Sequence, residues 1–280
     1  MKSNFTTRVL TAIVFSVILI GGTVLHEISF FIVFFTVVIL GLLEFYKLVK
    51  VANIEPQYIT GILLGSVIFT GNFIFAKSLL DVNTLIGLKI FLVIIPILIA
   101  IMIIELYRKK ENPFSNIAFT IFGASYVSVP FGIFSWFVFN PKFPEPYYPM
   151  VLLGFFLLIW ANDSGAYIVG SLVGKNKLFE RISPKKTWEG FLGGGFFSLM
   201  FAWLISYFVT EISLIDWLVV ALITFVFGTF GDLLESLLKR MVKVKDSGNI
   251  LPGHGGILDR FDSMIIAAPM VFIYLVLVFK

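Results

Sequence analysis

Nine stretches of about twenty predominantly apolar residues follow one another along the chain. They run at 8–25, 28–49, 58–76, 87–107, 116–139, 150–171, 188–209, 216–239 and 263–279. Each is long enough for a helical crossing of a hydrocarbon core about 30 Å thick. Lipid offers no partner to an exposed peptide group, so such a segment must satisfy its backbone internally, and a helix does this within one segment. The reading is therefore an all-α, polytopic integral membrane protein with about nine transmembrane helices. A charged fraction of 14% against 59% hydrophobic fits that class, since soluble domains carry roughly a quarter charged residues. The first segment lacks a small-residue cleavage site and another apolar segment follows at once, so it is expected to be a retained helix and not a signal peptide.

Basic residues orient the helices, because cytoplasmic loops are enriched in Lys and Arg. With the N-terminus in the cytoplasm and nine crossings, 17 of the 21 Lys and Arg residues fall on the cytoplasmic side, and only Lys77, Lys89, Lys142 and Lys280 fall outside. The expected location is the cell (inner or plasma) membrane, multi-pass. Cysteine is absent and the histidines are two, His26 and His254. That excludes disulfides, a thiolate metal site, a cysteine nucleophile and a histidine-rich metal centre.

The two halves differ in content. Residues 1–140 read as a transmembrane scaffold, rich in Phe, Ile, Leu and Val, with charges such as Glu44 and Lys47 near segment ends. Pro96 and Pro130 are expected to kink their helices, and Gly61 and Gly65 to allow close packing. Residues 141–280 read as the catalytic region with its cytoplasmic loops. Asp163 lies 13 residues after Met150, on the order of 20 Å along a helix. Asp232 lies 16 residues into its segment, on the order of 24 Å. Asp232, Glu235, Ser236 and Lys239 share one helical face, and Asp259 and Asp262 are one turn apart. Ionisable groups this deep mark functional sites.

The densest charge lies between Glu235 and Asp262, with five cations, four carboxylates and a histidine. Carboxylates hold Mg²⁺, cations hold phosphates, and glycines let backbone approach a ligand. The run Ser236-Leu-Leu-Lys239-Arg240, then Lys245-Asp246, then Pro252-Gly-His254-Gly255-Gly256, then Asp259-Arg260-Phe-Asp262 resembles the signature of the phosphatidate cytidylyltransferase (CDP-diacylglycerol synthase) family. Ser183-Pro-Lys185-Lys186-Thr187-Trp-Glu189-Gly resembles a second motif of the same family. The likeness covers about Asn162 to Asp262; Asp163-Ser164 stands where many members have Asp-Thr, and the hydroxyl is kept.

The resemblance implies transfer of CMP from CTP to phosphatidic acid, giving CDP-diacylglycerol and pyrophosphate for phospholipid biosynthesis, at a site facing the cytoplasm. It points to Mg²⁺ on Asp232 and Asp259 with Asp262 as a third ligand, to a second, monovalent cation as an option, and to a homodimer. Lys239, Arg240, Lys245 and Arg260 are expected to neutralise phosphate oxygens. Asp246 is either a ligand or an orienting partner of Lys245. Asp163 is an acid behind the ligands, a nucleotide contact or a packing group. Ser183, Lys185, Lys186, Thr187, Ser236, Gly255 and Gly256 are candidate substrate contacts, with phosphate at the helix N-terminus that Thr187 begins. His254 is either an acid–base group or a structural or phosphate contact in a glycine-rich turn. The triplet Gly193-Gly-Gly195 reads as helix packing in preference to a nucleotide loop.

The partners expected are CTP, phosphatidic acid and membrane lipids, with no nucleic acid. Two other functions share some of these features. A CTP-dependent polyprenol or phytol kinase would release CDP and need a base to deprotonate a hydroxyl. An ion or phosphate transporter would use Asp163 and Asp232, but no internal repeat is visible and the charge gathers at one membrane face.

Overall fold

A computed structural model describes residues 5–80, 85–248, 250 and 255–278. The helices are α1 (Phe5–Leu25), α2 (Glu27–Lys50), α3 (Tyr58–Ser78), α4 (Leu85–Phe91), α5 (Ile94–Arg108), α6 (Pro113–Val138), α7 (Met150–Val173), α8 (Trp188–Ile205), α9 (Leu214–Met241) and α10 (Leu258–Val278). Between α7 and α8 lie two short strands, β1 (Lys177–Phe179) and β2 (Ser183–Thr187). Among the described residues eight helical stretches are long and apolar enough to cross a membrane, Leu88–Arg108 counting as one, and Leu10–Leu25 is a shorter ninth. The chain is a polytopic, helical membrane protein.

Local chemistry explains several boundaries. His26 caps α2: its ring accepts the Ile28 N–H at 3.1 Å, and Ser29 Oγ accepts the His26 N–H at 3.0 Å. Pro96 does not kink a helix as expected. The chain breaks at 92–93, and Pro96 falls in the first turn of α5, where a missing N–H leaves no helical bond unmade. Pro130 lies inside α6.

The residues gather into two compact units. The first comprises Met1–Tyr147 and Met241–Arg260, the second Tyr148–Arg240 and Phe261–Lys280. In the first, α3 packs against α2 and α6 through glycines. A side chain at Gly61 would strike Tyr46, and one at Gly65 would come within 2.5 Å of both Leu42 and Ser128. Phe30, Phe34, Phe131 and Phe134 form a buried aromatic cluster there. Glu105 is buried and fully engaged, accepting from Gln57, Asn116 and Arg108 at 2.7–2.8 Å.

In the second unit α7 and α8 pack along their length. The glycine triplet serves helix packing, as expected: a Cβ at Gly193 would meet Val169 of α7 at 2.5 Å and one at Gly194 Asn162 Oδ1 of α7 at 2.6 Å, while one at Gly195 would meet Phe225 of α9 at 3.0 Å. The β1–β2 hairpin pairs Lys177 with Thr187 and Phe179 with Ser183. A lone two-stranded ribbon is marginal in water, and this one is tied down. Glu189 accepts from Asn176 Nδ2 at 2.7 Å and from the backbone N–H groups of Lys175 and Asn176 at 3.1–3.2 Å. Trp188 N–H donates to Asn176 O at 2.9 Å, and Ile182 is buried.

Candidate active site

A cavity of about 430 Å³ opens in the second unit, walled by α7, α8, α9 and the hairpin. Asn162, Asp163 and Ser171 come from α7, Lys185, Lys186 and Thr187 from β2, and Thr229 and Asp232 from α9. Its volume lies in the range usual for small-molecule sites. Apolar residues such as Phe191 and Leu178 line the rest, so charges within it are weakly screened.

The polar part of this unit is dominated by carboxylates. Asp262, on α10, lies within electrostatic reach of Asp232, Asp163 and Glu235. Gly231 brings this about. It sits against the backbone of Asp262 and Ser263, and a Cβ there would strike the Asp262 carbonyl. The missing side chain lets α9 approach α10 closely enough to set Asp232 beside Asp262. Two lysines oppose the four acids. Lys186 Nζ contacts Asp232 Oδ2 at 2.5 Å, and Lys239 pairs with the fully buried Glu235 one turn below it on α9. Ser236 Oγ donates to Asp232 Oδ1 at 3.2 Å. The stripe of α9 residues thus forms one bonded face, and Lys186 reaches it from the hairpin.

The sequence profile described as the Cytidylyltransferase family matches residues 6–278. The chain belongs to the cytidylyltransferase family. The phosphatidate cytidylyltransferase of Bacillus subtilis (strain 168) is 34% identical over 279 residues, which is 99% of this chain and 98% of that one. The Staphylococcus haemolyticus (strain JCSC1435) phosphatidate cytidylyltransferase is 34% identical over 279 residues, 99% of each. That of Staphylococcus aureus (strain COL) is 43% identical over 170 residues, so the match spans 60% of this chain and 62% of that relative's length.

In this family member the two recognised motifs divide between the units. Asp163, Lys185, Lys186, Thr187 and Asp232 meet at the cavity, with Ser236 and Lys239 on the adjoining face of α9. Ser183 opens β2 and is half-buried. Arg240 Nε donates to the Ile182 carbonyl at 3.4 Å and so holds the turn of the hairpin. Thr187 is the N-cap of α8, its Oγ accepting from Gly190 N–H at 3.2 Å. At the helix N-terminus expected to hold phosphate, the amides of Trp188 and Gly190 donate to Asn176 O and Thr187 Oγ, and Lys185 and Lys186 stand beside it at the cavity.

The first unit holds the remainder, in the loop between α9 and α10. Lys245 and Asp246 are exposed there, as is Arg260 in the first turn of α10. Asp259 Oδ2 accepts from Ser247 N–H at 3.0 Å and Gly256 N–H at 2.8 Å. It therefore closes the loop, a role not expected from the sequence. Gly255 has φ +81°, and a Cβ on it would strike Asp259, so glycine is required twice over. His254 lies outside the described residues.

Sequence reading missed three participants. Glu189 was visible only as a motif position; its anchoring of residues 175–176 needs the hairpin. Glu235 was seen as part of a stripe, but its burial and pairing with Lys239 were not. Glu44 was read as a scaffold charge, yet it is 2% exposed and accepts Leu258 N–H at 2.9 Å, a partner 214 residues away.

Among the described residues no three Asp, Glu or His side chains are grouped so as to hold a metal ion. The donor chemistry around Asp262 nevertheless fits Mg²⁺. All the donors are carboxylate oxygens, and Mg²⁺ takes one or two of these and completes its shell with water and substrate phosphate.

Proposed function

We propose that this chain transfers CMP from CTP to phosphatidic acid, releasing pyrophosphate and forming CDP-diacylglycerol at the cytoplasmic leaflet. The observation that carries the reading is the cavity that joins β2 lysines to membrane-embedded carboxylates, in a chain matched over its whole length by phosphatidate cytidylyltransferases.

The chemistry asks little of acid–base groups. A phosphate monoester has its second pKa near 6, so at neutral pH the phosphatidate oxygen is already an anion. It attacks the α-phosphorus of CTP, the bond from that phosphorus to the bridging oxygen breaks, and pyrophosphate leaves with the electron pair. The obstacle is the approach of two anions, and it is met by positioning and electrostatics. Lys185 and Lys186 draw the triphosphate to the cavity mouth. Lys186 exchanges Asp232 for a phosphate oxygen as it does so. Thr229 and Asn162 offer hydrogen bonds inside, and the apolar wall excludes water. Asp232 and Asp262 are the oxygen donors we assign to Mg²⁺, and Asp259 remains the further ligand that the family resemblance implies. When bound, the ion neutralises phosphate oxygens and the leaving pyrophosphate. The homodimer and the additional monovalent cation expected from the family belong to the same proposal.

The test is pyrophosphate release by the purified protein in detergent, with CTP, Mg²⁺ and phosphatidic acid each omitted in turn. Release that needs all three, with a CDP-lipid product, supports the reading. CDP released in the presence of a lipid alcohol would replace it with a kinase, and CTP-independent uptake into proteoliposomes with a transporter.

A further inference from the structure

We propose that Glu44, on α2, is a positioning residue that clamps the loop between α9 and α10. This rests on the proposed function in one respect only, that the loop carries reacting charges. The clamp itself is geometric. Glu44 is 2% exposed and 214 positions away in sequence from the Leu258 amide it accepts. Its Oε2 accepts Leu258 N–H at 2.9 Å, the Ile257 amide and the Ser247 hydroxyl face the carboxylate without closing a full hydrogen bond, and Oε1 is buried with no partner among the described residues. One turn earlier on α2, Gly41 lies against Val127, which a Cβ there would meet at 3.1 Å, with Leu258 and Ile257 at ordinary packing distance, 3.6 and 3.9 Å. Both are buried, at 0% and 3% exposure. The helix therefore packs against the end of the loop and fastens it with a carboxylate.

The loop is shaped to receive that carboxylate. A Cβ at Gly248 or at Gly256 would strike Glu44 Oε1 in either case. Two of the loop's glycines are thus accounted for by one side chain on α2. A carboxylate buried this deeply is costly unless directed donors surround it. The exposed Lys47 and Lys50 of the same helix do not ion-pair with it; its donors come from the loop. Packing alone would be served by an apolar residue, so the carboxylate is there for the loop. Asp259 closes the loop on itself through Ser247 and Gly256, and Glu44 fixes the closed loop to α2. Asp259 and Arg260, which follow directly, inherit their position from both.

The test uses the full-length protein in detergent and two readouts. The first is the rate of trypsin cleavage at Lys243 and Lys245, both exposed in the loop, which needs no substrate. The second is kcat and KM for CTP. Glu44→Ala should raise cleavage by about tenfold or more, as loss of a buried hydrogen bond to a charged group does. It should lower kcat by about tenfold with KM for CTP changed less than about threefold. Glu44→Gln keeps an acceptor oxygen and should stay within about threefold of the parent in both. Gly248→Ala disturbs the clamp from the other side and should loosen the loop without touching α2. Its effect and that of Glu44→Ala should not add in the double variant, because the new methyl collides only with the carboxylate. Additive effects, or parental loop protection in Glu44→Ala, would overturn the proposal. If Glu44→Ala does not accumulate, Gly248→Ala and Glu44→Gln decide it by the cleavage rate. Loosened loops in a protein that makes no pyrophosphate would uphold the clamp and refute the proposed reaction.

Discussion

Lys186 is the side chain whose removal tests the site most directly. Its ammonium stands 2.5 Å from Asp232, with the two side chains 27% and 30% exposed. Two unit charges about 4 Å apart interact by about 4 kcal/mol at an effective dielectric of 20. Pairs exposed to this extent retain much less after screening, so Lys186→Met should cost folding only about 1 kcal/mol. The catalytic cost should be larger. If Lys186 moves from Asp232 to a CTP phosphate, the variant loses a charge-assisted hydrogen bond of about 1.5–3 kcal/mol. At 1.4 kcal/mol per decade that is a loss of roughly 10–150-fold in kcat/KM for CTP. A second effect runs the other way. Asp232 belongs with Asp163 and Glu235 to the carboxylates within electrostatic reach of Asp262, and removing Lys186 takes away the cation paired with it. The Mg²⁺ concentration for half-maximal rate should therefore fall while KM for CTP rises. Pyrophosphate release measured over a grid of CTP and Mg²⁺ concentrations reads both. Lys186→Arg, which keeps the charge on a wider head, should recover part of the CTP effect. A kcat/KM within about threefold of the parent, or a Mg²⁺ requirement that rises with the CTP requirement, would refute the exchange of partners.

Other substitutions separate the remaining roles. Asp232→Asn and Asp259→Asn should each reduce turnover by about 100-fold or more while the protein still inserts and folds; only Asp259→Asn should also speed trypsin cleavage in the α9–α10 loop, because Asp259 accepts two loop amides. Glu189→Ala frees Lys175 and Asn176 from their anchor, and amide exchange at residues 175–187 should accelerate by about tenfold; unchanged exchange would mean the hairpin is held by other contacts. Gly193→Val places a side chain where Val169 stands 2.5 Å from the Cβ position, an overpacking cost of about 1–3 kcal/mol visible as a lower thermal midpoint in detergent. Lys142→Ala, in the stretch before α7, should leave turnover unaltered, and a large loss would contradict the orientation proposed for the site.

Much of this molecule is written locally. An apolar segment in lipid has to close its own backbone hydrogen bonds, so the nine segments map onto helices with ends displaced by only a few residues, the exceptions being segment 87–107, which divides into α4 and α5, and the start of α10 at Leu258 in place of 263. The glycine triplet of α8 was legible for a related reason, since small residues inside an apolar helix are there to let another helix approach. The stripe Asp232, Glu235, Ser236 and Lys239 follows from helical periodicity. The β1–β2 hairpin was not legible. Three and five residues with a proline and three lysines show no strand alternation, and the ribbon exists because Glu189 and Arg240 hold its two ends.

What the sequence alone determined is the class of the protein, its succession of helices, its family signature and the residue types at the site, because each depends on neighbours within one or two turns or on an uninterrupted motif. What only the tertiary structure decided is which of those residues share partners. Lys186 and Asp232 are 46 positions apart in the numbering, and Glu44 and Leu258 are 214. No local periodicity links such pairs. They are chosen by where glycines let helices and loops approach, at Gly231 for Asp232 and Asp262, and at Gly248 and Gly256 for Glu44. A missing Cβ has meaning only once the chain segment that fills its place is known.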